Sequence, residues 1–195
     1  MALSVALAAL LFSRDGVSCF SAAFSNAGFI GIPLAQSVLG GDAAFLISAM
    51  IVMIGLLQYT VGLFMITGDR GKMKAGAVLK NPVVLSVALG VLLCAANIPK
   101  PALAASLFST VGSINTPLVM LLLGAYLAKT DLKKVFAIAS NYGVSFVRLL
   151  LIPAVSVLLL RLLPFGSEQM KLALFITCAC PAGSLGAIFS LKYGG

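Results

Sequence analysis

The sequence predicts an all-α polytopic membrane protein with about six transmembrane helices. Of its 195 residues, 61% are hydrophobic and only 9% charged, with a mean hydropathy of +1.15. Ordinary soluble domains carry about 25% charged residues. Apolar runs long enough to cross a bilayer recur along the whole chain. A membrane β-barrel would instead show alternating segments of roughly 10 residues, and the sequence has none.

The elements follow in order. The opening "MALSVALAALLFSRDG" has no basic stretch ahead of its apolar run and no clear small-x-small cleavage site, so it does not read as a signal peptide. Residues 1–13 are too short to span and read as the end of a helix that begins elsewhere. Breaks at Gly, Pro and charge clusters then delimit Val17–Leu39, Ala43–Thr67, Pro82–Ile98, Pro101–Ala128, Val135–Leu163 and Lys171–Tyr193. The third span is short, but Asn81-Pro82 and Pro99 fit its start and stop.

Threading these spans alternately through a membrane sorts the charges. One side receives Arg14, Arg70, Lys72, Lys74, Lys80, Lys129, Lys133, Lys134 and Lys192; the other receives Lys100 and Lys171 with Asp42 and Glu168, and Arg161 near its edge. The positive-inside rule makes the first side cytoplasmic, including the loop 68–80. The protein is thus expected in the cell membrane as a multi-pass chain. The net charge of +8 falls between apolar runs and forms no patch with interleaved aromatics, so no nucleic acid partner is expected. Cys19, Cys94, Cys178 and Cys180 all lie inside apolar runs without metal-ligand spacing, and the chain has no His. They read as small apolar fillers.

Two spans carry matching interruptions. Asn26-Ala-Gly-Phe-Ile-Gly31 aligns with Pro181-Ala-Gly-Ser-Leu-Gly186 at one constant offset, at mid-span in helices of opposite direction. Chance produces such matches, because Ala and Gly are common in membrane helices; an inverted-topology repeat also produces them. Gly28 and Gly31 lack a Cβ, and Pro33 has no N–H and clashes with the Phe29 carbonyl. Together they favour a kink or unwound turn over Asn26–Ile32. A tight small-residue crossing with a simple Pro kink is the plainer reading. Asn26 favours the broken helix, since its amide would otherwise be buried unsatisfied. Freed N–H groups at a break carry partial positive charge, and an anion can dock on them without a formal cation.

Few other polar residues lie within spans. Asn115-Thr116-Pro117 is expected to interrupt the fourth span in the same way and to add ligands, or else to be a plain Pro kink with Thr116 bonded back. Arg148 is a formal charge well inside a span, roughly 20 Å of helix from either end, and a functional candidate by default. Its guanidinium could pair with an anionic substrate or cap the carbonyls of a broken helix. Gln58 reads as an interhelical hydrogen bond. No Asp, Glu or His lies within a span, and no nucleophile–base pair, phosphate loop or metal set appears, so neither an enzyme nor a cofactor is expected.

At these residues the chain resembles a known family. "FSNAGFIGIPLAQSVLG" resembles the fourth-helix signature of the auxin efflux carriers. "LKNPVVLSVALGVLL", "INTPLVMLLLGAYLA" and "VRLLLIPAV" resemble their sixth, seventh and eighth helices, and "CACPAG" their ninth. The resemblance implies ten helices in two inverted repeats of five, of bile-acid-symporter-like fold, with the fourth and ninth helices broken and crossing beside the substrate. Here residues 17–67 would be the last two helices of the first repeat, 68–80 the cytoplasmic loop, and 81–195 the second repeat without its last helix. The implied function is secondary transport of small organic anions, such as carboxylates or auxin-like acids, by alternating access. The substrate-binding residues would be Asn26, Ala27, Gly28, Pro33, Asn115, Arg148, Cys180, Pro181, Ala182, Gly183 and Ser184. Expected partners are the anion, the lipid bilayer and, as an open arrangement, a second copy in a homodimer. A sodium-coupled carrier of the bile-acid-symporter type and a non-transporting truncated fragment stand as alternatives.

Overall fold

The helices form because apolar runs in hydrocarbon must satisfy every backbone group internally, and Asp15, Asp131 and Ser167 cap three of their N-termini. The computed structural model describes residues 1–40, 43–68, 82–96, 101–162, 164 and 166–193. The expected cytoplasmic loop beyond Gly68, together with Asp42 and Lys100, lies outside the described residues.

Helix α1 (Ala2–Leu11) packs on α2 (Gly16–Ala23). The α2 N-terminus is capped by Asp15, whose carboxylate accepts the N–H groups of Val17 at 3.1 Å and Ser18 at 3.3 Å. The Ser18 hydroxyl donates to the same carboxylate. That hydroxyl is the main reason the Asp15 pKa lies below its ordinary value; partial desolvation opposes it and the two backbone bonds reinforce it. A lowered folded-state pKa means that this cap is fully engaged at neutral pH and is lost as pH falls through that value.

Beyond α2 the chain unwinds at Phe24, re-forms as a π-turn (Ala27–Gly31) and continues as α3 (Ile32–Leu39). Unwinding thus lies upstream of Pro33, which follows the π-turn directly and, lacking an N–H, cannot bond back to it. The next segment is α4 (Ala43–Leu57), a π-turn (Gln58–Gly62) and α5 (Leu63–Thr67). Then come α6 (Pro82–Ala95), α7 (Ala102–Ala128), α8 (Leu132–Ala137), α9 (Ala139–Phe146), a π-turn (Val147–Leu151) and α10 (Ile152–Leu162). Ser167 caps α11 (Glu168–Ala179), which breaks at Cys180 before α12 (Leu185–Tyr193).

The expected spans therefore fall on helices, and among the described residues no strand forms. Among the described residues two continuous stretches, Met50–Thr67 and Ala139–Leu162, are by themselves long and apolar enough to cross a membrane. The expectation for Asn115-Thr116-Pro117 needs correction: α7 runs through it without interruption. Freed backbone groups are stable only where they find partners, and α7 exposes its apolar side chains, such as Leu107, Phe108 and Leu118, along its length.

The core is built around α2. Phe20 and Phe24 are fully buried with ring centroids 4.8 Å apart, and Phe189 of α12 meets Phe20 edge-on at 5.8 Å. Ile54, Ile66, Val147 and Ile152 complete the cluster from the flanking helices. A second cluster, Ala35, Ile47, Ala173 and Ile176, joins α3, α4 and α11. Close approach depends on glycine: a Cβ on Gly62 would lie 2.5 Å from Phe20 Cε2 and 2.9 Å from Phe24 Cε2. Those rings have no room to move. Gly62→Ala is accordingly expected to destabilise the fold by about 1–3 kcal/mol, read as a lowered thermal midpoint in detergent; an unchanged midpoint would contradict this packing.

Candidate functional site

A helix that breaks inside a membrane must find partners for its freed backbone groups. In this chain the two breaks find each other. Asn26 N–H donates to the Pro181 carbonyl at 2.8 Å, and Gly183 N–H donates to the Phe24 carbonyl at 3.0 Å. Ser25 and Ala182 thereby form a single antiparallel bridge. Residue sizes match this contact. A Cβ on Gly183 would lie 3.1 Å from the Gln58 side-chain nitrogen and 3.4 Å from the Ser25 carbonyl oxygen. The second glycine of each motif packs on the opposite broken helix: Gly31 against Cys180 and Thr177, and Gly186 against Phe20 and Ser21.

The carbonyls of the upstream half-helices are taken by Arg148. This side chain is 2% exposed and sits in the π-turn between α9 and α10. Its Nε donates to the Cys180 carbonyl at 2.9 Å and its Nη2 to that of Cys178 at 2.6 Å. Its Nη1 donates to the carbonyls of Ala22 at 3.3 Å and Ala23 at 3.4 Å. One guanidinium therefore caps the C-terminal ends of α2 and α11 together. Its charge is neutralised in part by two helix ends of partial negative charge. Of the two roles open for Arg148 in the sequence, capping is the one this geometry fills.

Beside the bridge lies a cavity of about 380 Å³. It is lined at the crossing by Ser25, Asn26, Ala27, Gly28, Gly183 and Ser184, and across from them by Gln58 and Tyr59 with apolar side chains such as Ile51 and Ile54. No formal charge lines it. The downstream helical segments begin here, at Ala27 and Leu185, so two N-terminal ends of partial positive charge flank the same space. The Ser25 hydroxyl is buried with no hydrogen-bond partner among the described residues, and a buried orphan of this kind calls for an explanation.

The expected site residues divide accordingly. Asn26, Ala27, Gly28, Gly183 and Ser184 line the cavity; Pro181 and Ala182 form the bridge beneath it. Cys180 is buried, with its thiol 3.2 Å from the Ile176 carbonyl and its own carbonyl on Arg148. Pro33 and Arg148 do not line the cavity. The Asn115 side chain lies outside the described residues, on α7. Ser25, Gln58 and Tyr59 were not among the expected residues. The run Gln58-Tyr59-Thr60 inside an apolar span was the available signal. Among the described residues no group of His, Cys, Asp and Glu could hold a metal ion.

With this geometry in place, the comparison with known families is decisive at one point: the model of a family described as membrane transport protein matches residues 76–195, more than half of the chain. The chain belongs to that family, the family of the auxin efflux carriers. No curated protein and no solved structure matches it. The matched region of this membrane transport protein holds Arg148 and the second break, while the first break precedes it.

Arg148 can be tested directly. Arg148→Met would leave up to four buried carbonyls without their donor, at about 1–3 kcal/mol for each group left unsatisfied. Arg148→Lys keeps the charge but loses the planar fork that reaches both helix ends. The expected order of thermal stability in detergent is wild type, then Lys, then Met. Equal stability of the Met variant would rule out the capping role.

Proposed function

We infer that this membrane transport protein is a secondary carrier of small organic anions, and that the anion binds in the cavity beside the paired breaks. The observation that carries the reading is the lining itself. Two helix N-termini meet neutral donors from Asn26, Gln58, Tyr59 and Ser184 and the unpartnered Ser25 hydroxyl, in a space with apolar walls. A carboxylate fits such a site: the helix ends attract its charge, hydroxyl and amide donors orient it, and the apolar side holds its organic body. Arg148 contributes charge through the backbone it caps, while its donors stay on carbonyls. Pro181, which has no N–H to bond back to Thr177, keeps the second helix from closing over its break.

The two breaks belong, in this reading, to an inverted pair, with residues 17–67 ending one repeat and 81–195 forming most of the other. Alternating access moves the paired breaks as one body past the remaining helices. The protein sits in the cell membrane with loop 68–80 in the cytoplasm. The positive-inside distribution supports that orientation.

Transport of radiolabelled mono- and dicarboxylates by the full-length protein in proteoliposomes tests the function. Asn26→Ala and Gln58→Leu are each expected to lower the rate about 10–100-fold, the loss of one hydrogen bond to a charged group. Wild-type rates in both variants, across candidate acids, would remove the site assignment. The orientation is tested separately: Lys74→Cys in a cysteine-free background should react with a membrane-impermeant maleimide only from the cytoplasmic face. Labelling from the opposite face would invert the topology.

A further inference from the structure

A second cleft, of about 560 Å³, shares no lining residue with the cavity at the crossing. It lies where the end of α10 meets the start of α11, closed on one side by Leu39 at the end of α3. Its lining is graded along the helices. At the helix ends stand Arg161, in the last turn of α10, and Lys171, in the first turn of α11. Leu160 and Leu172 directly adjoin the two cations in sequence, and Val157 and Phe175 stand one turn deeper, at i−4 and i+4 respectively. Each cation thus stands near its helix's end, and the apolar lining runs from beside it to about 6 Å further along the helix.

Glu168 also lines the cleft and lies 3.5 Å from the Lys171 ammonium, but its side chain is 92% exposed while that of Lys171 is 22% exposed. A pair with one partner so open to water holds weakly. The lining keeps a net positive charge above an apolar slot. A free inorganic anion would match the charges and leave the slot empty; an apolar helix would fill the slot and leave the cations unpaired. A molecule with an anionic head and a hydrocarbon tail matches both, in the order in which the lining presents them.

We propose that this cleft binds an anionic phospholipid, with the phosphate between Arg161 and Lys171 and an acyl chain along Val157, Leu160, Leu172 and Phe175. The site is independent of the transport reading, because it uses none of the residues at the crossing.

The test is native mass spectrometry of the full protein released from nanodiscs of phosphatidylcholine containing phosphatidylglycerol. Wild type is expected to retain phosphatidylglycerol over phosphatidylcholine, and R161Q/K171Q to lose that preference, by about fivefold for each cation removed. E168Q removes the competing carboxylate and should raise retention, so it decides the matter even if the double variant fails to insert. Three results overturn the proposal: equal retention in wild type and the double variant, no gain in E168Q, or displacement of the lipid by millimolar inorganic phosphate. The last would make the cleft a site for a soluble anion.

Discussion

Backbone groups released inside an apolar helical layer must be satisfied by protein, since each unsatisfied one costs several kcal/mol in hydrocarbon. The whole arrangement follows from how this chain meets that constraint. The break at Phe24–Asn26 and the break at Cys180–Gly183 exchange two hydrogen bonds, and Arg148 takes four carbonyls on the upstream side, two from each helix end. The satisfaction is one-sided. C-terminal helix ends meet a buried cation, while the N-terminal ends, at Ala27 and Leu185, open on a cavity that no charge lines. That asymmetry leaves a partial positive field where a ligand can reach it.

Packing around the bridge is organised by the same demand. The backbones approach closely only because small residues stand at each contact: Gly183 under the Gln58 amide, Gly186 and Gly62 against Phe20, and Gly31 against the Cys180 thiol. Fully buried Phe20 fills the volume that Gly62 and Gly186 vacate. Among the described residues, three π-turns accompany this core, at Ala27–Gly31, Gln58–Gly62 and Val147–Leu151. They place Gln58 and Arg148 within the turn and Asn26 just before it. Such turns recur at functional sites because one extra residue re-aims a side chain without ending the helix.

Membership of the membrane transport protein family assigns the chain to the bilayer, which in turn accounts for its surface. Leu103, Phe108 and Leu121 on α7, each more than two thirds exposed, would be untenable in water and are ordinary against lipid or neighbouring helices.

Much of this was legible in the sequence. Hydropathy located the helices, because membrane burial acts on each run of residues by itself. Gly and Pro located the two breaks, because backbone freedom and a missing N–H are local properties. At Asn115-Thr116-Pro117 the same local signal left a break and a plain Pro kink open, and the helix runs on through Pro117. Partners are what the sequence did not determine. Arg148 meets Ala22 across 126 positions, and Gln58 lies over Gly183 from a different span; no spacing along the chain encodes either contact. The sequence by itself determined that two helices break and that one cation is buried among them. Only the tertiary structure decided that the breaks satisfy each other and that the cation is spent on carbonyls, because hydrogen bonds between distant backbone segments depend on how the helices cross.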